Sequence, residues 1–282
     1  MKITPIAADS LGVRSMATLV ETVDARIFID PSAALGPRRY GLPPAPQELD
    51  ALRRFKHIIH EIALKCDILI ITHYHYDHHD PHEDFYQGKI VYAKDRFKNI
   101  NRSQRIRGYV FEENIKDMCS KLVYVDEKEI EIGKTLIKFS PPFPHGPPGT
   151  RLGYVLMVTI DDGHYRFLFS SDVQGPVDEE AAQYIVDENP DLLYMDGPPT
   201  LFLGWRFSMK NLEKVRENLS RILRETGCEL ILDHHLLRDL KYREHLSEIY
   251  DRYDPRTAAE YLGKPINMLE AHRKELWAQV VG

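Results

Sequence analysis

The apolar run Cys66-Asp67-Ile68-Leu69-Ile70-Ile71 leads into Thr72-His73-Tyr74-His75-Tyr76-Asp77-His78-His79-Asp80-Pro81-His82. The first part has the β-branched content of a buried strand. Five of the chain's 13 histidines follow it directly, at a strand end where polar side chains can converge on a cleft. In the pattern His-x-His-x-Asp-His, His73 and His75 are two apart and share a direction if the backbone stays extended. The Asp77-His78 step then turns a carboxylate and a third imidazole towards the same space. Neutral imidazoles packed this closely make a poor core, because each needs a hydrogen-bond partner and they repel once protonated. A divalent cation removes both problems. The plainer alternative, a polar loop that happens to be rich in histidine, leaves the spacing and the preceding strand unexplained.

Composition bounds what surrounds this stretch. At 282 residues and 43% hydrophobic, the chain suits one large domain with a sizeable core. A net charge of −6 supplies no global field for a polyanion. Cys66, Cys119 and Cys228 are far apart with no Cys-x-x-Cys, which excludes a cysteine zinc site and a disulfide framework and fits a reducing compartment. No apolar run approaches the roughly 18 residues of a membrane span, and Met1–Pro5 lacks the apolar core of a signal peptide. The expectation is a soluble cytoplasmic protein.

Outward from the motif, 46–65 carries Leu49, Leu52, Phe55, Ile58, Ile59 and Ile62 at helical spacing and leads into the histidine strand. Upstream, 2–7 reads as a strand, and 17–22 with 26–30 as a hairpin ending at Asp30-Pro31. Downstream, 81–87 reads as a short helix and 89–93 as a strand. The segment 94–107 holds six basic residues against one acid. It is either a solvated helical face or a lid whose guanidinium groups, Arg105 among them, bind an anionic substrate. Two or three short strands follow over 121–139. Pro141–Gly149 is too proline-rich for a regular element and holds His145 on a stiff loop. Asp161-Asp162-Gly163-His164 turns a hairpin whose second arm ends at Ser170-Ser171-Asp172. A helix over 178–187 precedes a strand over 191–195. Ser208 and Gly227 cap a long helix, and the strand 229–232 delivers Asp233-His234-His235. Residues 239–282 read as helical, interrupted at Asp254-Pro255 and Gly263-Lys264-Pro265. No repeat or linker divides the chain, so 1–282 is expected to be a single domain with a helical C-terminal extension from about 239.

The His73 cluster, His145, Asp172 and His234 thus all follow strands or sit on rigid loops, and only tertiary folding can unite them. One histidine alone is usually a hydrogen-bonded structural residue, and one aspartate after a strand is usually a turn former. This ordered set resembles the metallo-β-lactamase superfamily. Thr72–His78 resembles its first metal motif, Phe143-Pro144-His145-Gly146 the second, Phe169-Ser170-Ser171-Asp172 the bridging-aspartate motif, and Leu230–His234 the last. Phe28-Ile29-Asp30-Pro31 is similar to the strand end usual there. The likeness covers residues 1 to about 240 and is closest to an uncharacterised, mainly archaeal group of predicted metal-dependent hydrolases.

That resemblance implies an α/β fold, the αββα four-layer sandwich. It implies that His73, His75 and His145 hold one divalent ion, that Asp77, His78 and His234 hold another, and that Asp172 bridges them. Nitrogen and carboxylate ligands without thiolate suit Zn²⁺, with Mn²⁺ or Fe²⁺ as alternatives. Two such ions about 3.5–4 Å apart activate a shared hydroxide and polarise the bond under attack. Asp77 is a candidate to orient that hydroxide. The adjacency of His234 and His235 leaves the last ligand open; the spacing to Arg238 resembles the transfer-RNA-processing branch and favours His234. His235 is then a group supporting the ligands from behind, a general acid, or an exposed helix-start histidine. His79-Asp80-Pro81-His82 stands where many relatives have glycines, so a narrower mouth or an added proton donor is expected. Arg14, on the first loop, is a candidate anion contact.

The expected activity is hydrolysis of an ester or phosphodiester in a small or medium anionic substrate. An RNA nuclease is the alternative, supported by 94–107 and opposed by the net charge. Di-iron redox chemistry or a non-catalytic scaffold is a third reading. Flavodi-iron relatives, however, carry Glu at the position of His75 and an attached flavin domain, both lacking here.

Overall fold

The computed structural model describes residues 1–281. One mixed sheet is built in chain order from β1 (Lys2–Pro5), β2 (Thr18–Glu21), β3 (Arg26–Ile29), β4 (Ile68–Ile71), β5 (Ile90–Ala93) and β6 (Lys121–Tyr124). The first three pair antiparallel, and β3 to β6 run parallel. Every residue of β4 is buried, as a central parallel strand covered on both faces requires. The chain continues through β7 (Glu129–Ile132), β8 (Thr135–Phe139), a two-residue ribbon of β9 (Phe143–Pro144) with β10 (Tyr154–Val155), then β11 (Val158–Asp161), β12 (Arg166–Phe169), β13 (Leu192–Met195) and β14 (Glu229–Leu232). Without the ribbon these form a second sheet in the order β14-β13-β12-β11-β8-β7, parallel from β12 to β14 and antiparallel elsewhere.

Strand alternation assigns the faces of this second sheet. Phe167, Phe169, Leu192, Tyr194 and Ile231 point into a core shared with the first sheet. Leu168, Leu193, Met195, Leu230 and Leu232 point the other way, into a separate cluster. Helices cover both outer faces. On the first sheet, α1 (Pro46–Ala63) buries Ala51, Phe55, Ile59 and Ala63 at helical spacing, and α2 (Arg102–Ile115) buries Gln104, Gly108, Phe111 and Ile115. The second sheet carries α3 (Glu179–Glu188) and α4 (Met209–Thr226), which presents Leu212, Val215, Leu219 and Ile222. The architecture is the expected αββα sandwich.

Ser208 caps α4 by accepting from Asn211 N, and Gly227 closes it in the left-handed region. Three expectations differ from the structure. Residues 81–87 form turns rather than a helix: Asp80 Oδ1 accepts from His82 N, Gln87 N donates to Asp84 O, and Phe85 and Tyr86 are both buried in the core. Residues 94–101 form a tethered loop: Lys94 Nζ donates to Asp126 and to two carbonyls of its own loop, and helix begins only at Arg102 after the Asn101 cap. The C-terminal region breaks into α5 (Tyr242–His245), α6 (Ser247–Tyr253), α7 (Ala258–Tyr261) and α8 (Arg273–Val281), with 262–272 outside any helix. There Asn267 N donates to Ser10 O at 2.7 Å and Met268 is buried, so tertiary contacts outweigh local helix propensity. Arg256 also pairs with Ile231 in parallel beside β14, which makes the tail part of the sandwich rather than an appendage.

Candidate metal centre

The parallel strands of both sheets point their C-terminal ends to one edge, where open α/β sheets place their sites. β4 delivers His73 to His78 there. Its neighbour β3 delivers Asp30; β12, β13 and β14 deliver Asp172, Asp196 and His234 with His235. The turn after the β9 strand delivers His145. Backbone strain accompanies the delivery: Asp30, Ser171 and His234 have φ of 48°, 54° and 46°, a region non-glycine residues enter at a cost.

Asp172 lies at the centre. Its Oδ2 is 3.0 Å from His145 Nε2 and 3.5 Å from His73 Nε2, and these form a ligand-distance group with His75. Its Oδ1 is 3.2 Å from His78 Nε2 and 3.5 Å from His234 Nε2. His234 Nε2 is also 3.6 Å from Asp77 Oδ2, which closes a group of Asp77, His78 and His234. His235 Nε2 approaches Oδ2 at 3.7 Å. Among the described residues, His73 Nε2, His78 Nε2, both ring nitrogens of His145 and Asp172 Oδ1 are buried without an aligned hydrogen bond. Buried polar atoms in a native fold are otherwise almost always satisfied. Ring nitrogens and carboxylate oxygens gathered at two shared points, with no thiolate among them, fit a pair of divalent cations and account for these unpaired atoms apart from His145 Nδ1, which lies on the far side of its ring.

A second layer fixes the imidazoles, as metal-binding histidines require. His78 Nδ1 lies 2.8 Å from Asp30 Oδ2, and Asp30 accepts from Thr72 N and Oγ1. His234 Nδ1 lies 2.8 Å from Asp9 Oδ2, and Asp9 Oδ1 accepts from Arg238 Nε. Arg238 Nη2 also reaches His234, at 3.2 and 3.0 Å from its two ring nitrogens. His235 Nδ1 is 2.7 Å from Asp196 Oδ2. Single aspartates after strands carry little sequence signal, so Asp9 and Asp196 gave no sign of this role; Asp30 showed only as a strand end.

Electrostatics divide the cage. Burial, reinforced by the His78 and His145 charges respectively, holds His73 well below the usual imidazole range and His75 at about 3. Burial also disfavours a charged His78, but Asp172 and Asp30 outweigh it and raise the group. At His234, burial and Arg238 oppose the proton, while Asp172 and Asp9 prevail and lift it to about 9. Burial would raise Asp77, yet His78, His234 and Arg238 hold its carboxyl far below the ordinary range.

Two expected substrate contacts lie elsewhere. Arg14 is clamped by Glu270 through two 2.6 Å bonds, which uses its guanidinium fork for a structural pair. Arg105 is exposed on α2. Arg107, two residues on, is the one that reaches the motif, donating to Tyr74 O and lying 4.8 Å over the Tyr76 ring. The lid reading of 94–107 gives way to a brace: Gln104 accepts from Tyr74 N and donates to Leu152 O, linking the histidine loop to the His145 loop. His79 faces away from the cage, with Nδ1 on His75 O at 2.9 Å, and His82 is exposed beside Asn114. Ser10 and Ser15 are turn residues bonded to backbone.

No protein-family model matches the chain. A UPF0282 protein of Methanocaldococcus jannaschii is 46% identical, over 98% of this chain and 96% of its own. The chain belongs to the UPF0282 family. Among solved structures, the isothiocyanate hydrolase from Delia radicum gut bacteria superposes with a TM-score of 0.55 at 15% identity, covering 91% of this chain and 95% of its own. Yeast PDE1 superposes at 0.51 and 12% identity, over 90% and 96%. This UPF0282 protein has the metallo-β-lactamase fold. No helix among its described residues is long and apolar enough to cross a membrane.

Proposed function

We propose that this UPF0282 protein is a dinuclear metal-dependent hydrolase that cleaves an ester or phosphodiester bond in a small or medium anionic substrate. The observation that carries the reading is the division of Asp172, whose two oxygens face two different sets of imidazoles. His73, His75 and His145 would hold one ion, Asp77, His78 and His234 the other, with Asp172 between them. Zn²⁺ suits this donor set best; Mn²⁺ and Fe²⁺ are the alternatives. Two divalent cations there would lower the pKa of a water and polarise the scissile carbonyl or phosphoryl oxygen.

The chain's own residues supply the rest. Asp77 is ionised under its cationic neighbours and partly open to solvent, which suits it to orient the attacking water. His235, held by Asp196, faces the cage across Asp172; burial holds its imidazole well below the usual range, so it is not set to donate a proton to the leaving oxygen. His234 rather than His235 is the ligand in this reading, because only His234 shares a group with Asp77 and His78. Metal analysis after purification without chelator should find about two divalent ions per chain. Hydrolysis of bis(4-nitrophenyl) phosphate or 4-nitrophenyl acetate should vanish on chelation and return with added metal. Absence of bound metal after supply of Zn²⁺, Mn²⁺ and Fe²⁺ would end the proposal.

A further inference from the structure

Beside the histidine loop lies a cavity of about 420 Å³ that the proposed chemistry does not use. The outer turns of α1 supply Leu49, Leu52 and Lys56, the loop after Asp30 supplies Ala33, Ala34 and Leu35, and the motif itself supplies Tyr76 and His79. Its volume lies in the range of small-molecule sites, and its lining is mostly apolar with a few polar groups, as such sites usually are. The charge at its rim is already satisfied, since Lys56 Nζ donates to Asp80 Oδ2 at 2.8 Å.

Two observations place this cavity against the loop that carries the cage residues, and a third marks it as a ligand site. Tyr76 lies in sequence between His75 and Asp77, both cage residues, and its 52% exposed ring lines the groove. Ser32 Oγ holds Tyr76 O at 2.7 Å, which fixes this wall of the groove. Finally, His79 lines the groove and is completely buried, with a ring stacked at 5.5 Å on Tyr76. Its Nδ1 bonds a carbonyl, which can only accept, so that nitrogen carries the hydrogen and Nε2 is left as an acceptor. Among the described residues, Nε2 is buried without a partner. An aliphatic floor beneath an unused acceptor is complementary to an apolar group bearing one N–H or O–H.

We infer that this groove is the subsite for the apolar part of the substrate: an acyl or aryl group attached to the bond cleaved at the cage. The inference rests on the hydrolase reading for its position relative to the scissile bond and narrows the substrate to an amphiphilic ester or phosphodiester. Charge would sit at the cage mouth, beside the Arg107 guanidinium, and the apolar end between α1 and Tyr76.

Leu52→Trp fills the groove from a half-buried position on α1, and Leu49→Asp makes its outer wall polar from a more exposed one, so a folding defect in the first leaves the second informative. With the metal-loaded enzyme, bis(4-nitrophenyl) phosphate should lose about ten-fold in kcat/KM through KM, while methyl 4-nitrophenyl phosphate changes less than two-fold. Binding of 2-naphthol to metal-free protein, followed by calorimetry, should be present in the wild type and lost in both variants. Equal loss for both phosphodiesters, or unchanged 2-naphthol binding in both folded variants, would overturn the assignment. Absence of turnover alongside groove-dependent 2-naphthol binding would sink the hydrolase reading and retain the groove as a binding site.

Discussion

Protonation runs in opposite directions at the two oxygens of Asp172. Towards Oδ2, His75 is held at about 3 and His73 is likewise depressed; towards Oδ1, His234 is raised to about 9 and His78 is raised with it. An unfolded histidine titrates at about 6.5. For His75 the stability contribution is therefore complete above about 6.5 and erodes as pH falls towards 3; for His234 it is complete below about 6.5 and is lost as pH rises through about 9. Metal binding needs neutral imidazoles. At pH 7.5 the His73 and His75 side is ready, whereas His78 and His234 must each give up a proton. Calorimetric titration of Zn²⁺ into metal-free protein, in buffers of different ionisation enthalpy, should show release of about two protons per chain; release of none would contradict the assignment. In Asp172→Asn, His234 loses one of the two carboxylates that raise it, so its NMR titration should move below about 9. The cage's inner residues were legible because each stands at a strand end in a spaced motif. Asp9 and Asp196 were not, since a lone aspartate in a loop is most often a turn former and only the fold brings it to an imidazole. Arg14 looked free for the same reason, its partner Glu270 lying near the far end of the chain.

α2 shows how an element with a weak amphipathic pattern can still govern the site. Gly108 faces the motif: a Cβ there would meet the Tyr74 ring and the Arg96 Cβ, each at 2.9 Å. Tyr74 is wholly buried between His73 and His75 and is bonded through its hydroxyl to Lys94 O, so it has little room to give. Overpacking of this kind costs about 1–3 kcal/mol, against a helix gain of about 1 kcal/mol for replacing glycine. Gly108→Ala should therefore lose up to about 2 kcal/mol in urea unfolding and also weaken metal binding, because the displaced Tyr74 stands between two candidate ligands in the chain. Ser208→Ala removes the α4 cap at a similar cost of about 1 kcal/mol, far along the chain from the motif, and should leave metal affinity unchanged. Equal metal affinity in the two variants would show that α2 does not brace the cage. The contrast follows what the chain makes readable. α4 announces itself through Ser208, Gly227 and a regular apolar stripe; the hairpins do so through their turns. Residues 81–87 and 262–272 mislead, because Phe85-Tyr86 and Met268 are placed by the cores they enter rather than by any local period.

Across the whole molecule, the last turns of the chain hold the first loops in place. Arg273 is fully buried and bonds both oxygens of the equally buried Glu48 at 2.8 and 2.7 Å, and it also donates to Gly36 O and Leu42 O. Glu270 accepts from Nε and Nη2 of Arg14, while Asn267 N donates to Ser10 O. Ser10 follows Asp9, the residue that orients His234, so the tail and one side of the cage share a loop. Removing one partner of a buried pair leaves an uncompensated charge and costs about 3–5 kcal/mol. Arg273→Met should therefore lower unfolding stability by about that amount, read by guanidinium denaturation of the full chain. Adding Glu48→Leu removes the stranded carboxylate and should recover part of the loss. Recovery stays partial because the carbonyls of Gly36 and Leu42 lose a donor in both variants. Loosening at Asp9 should also reach the metal: in Arg273→Met, the step of Zn²⁺ binding that releases protons should weaken more than the step that releases none, since His234 is the one cage imidazole that Asp9 bonds among the described residues. If the single variant costs less than about 1 kcal/mol, the tail is a passive cover and the coupling to His234 falls with it.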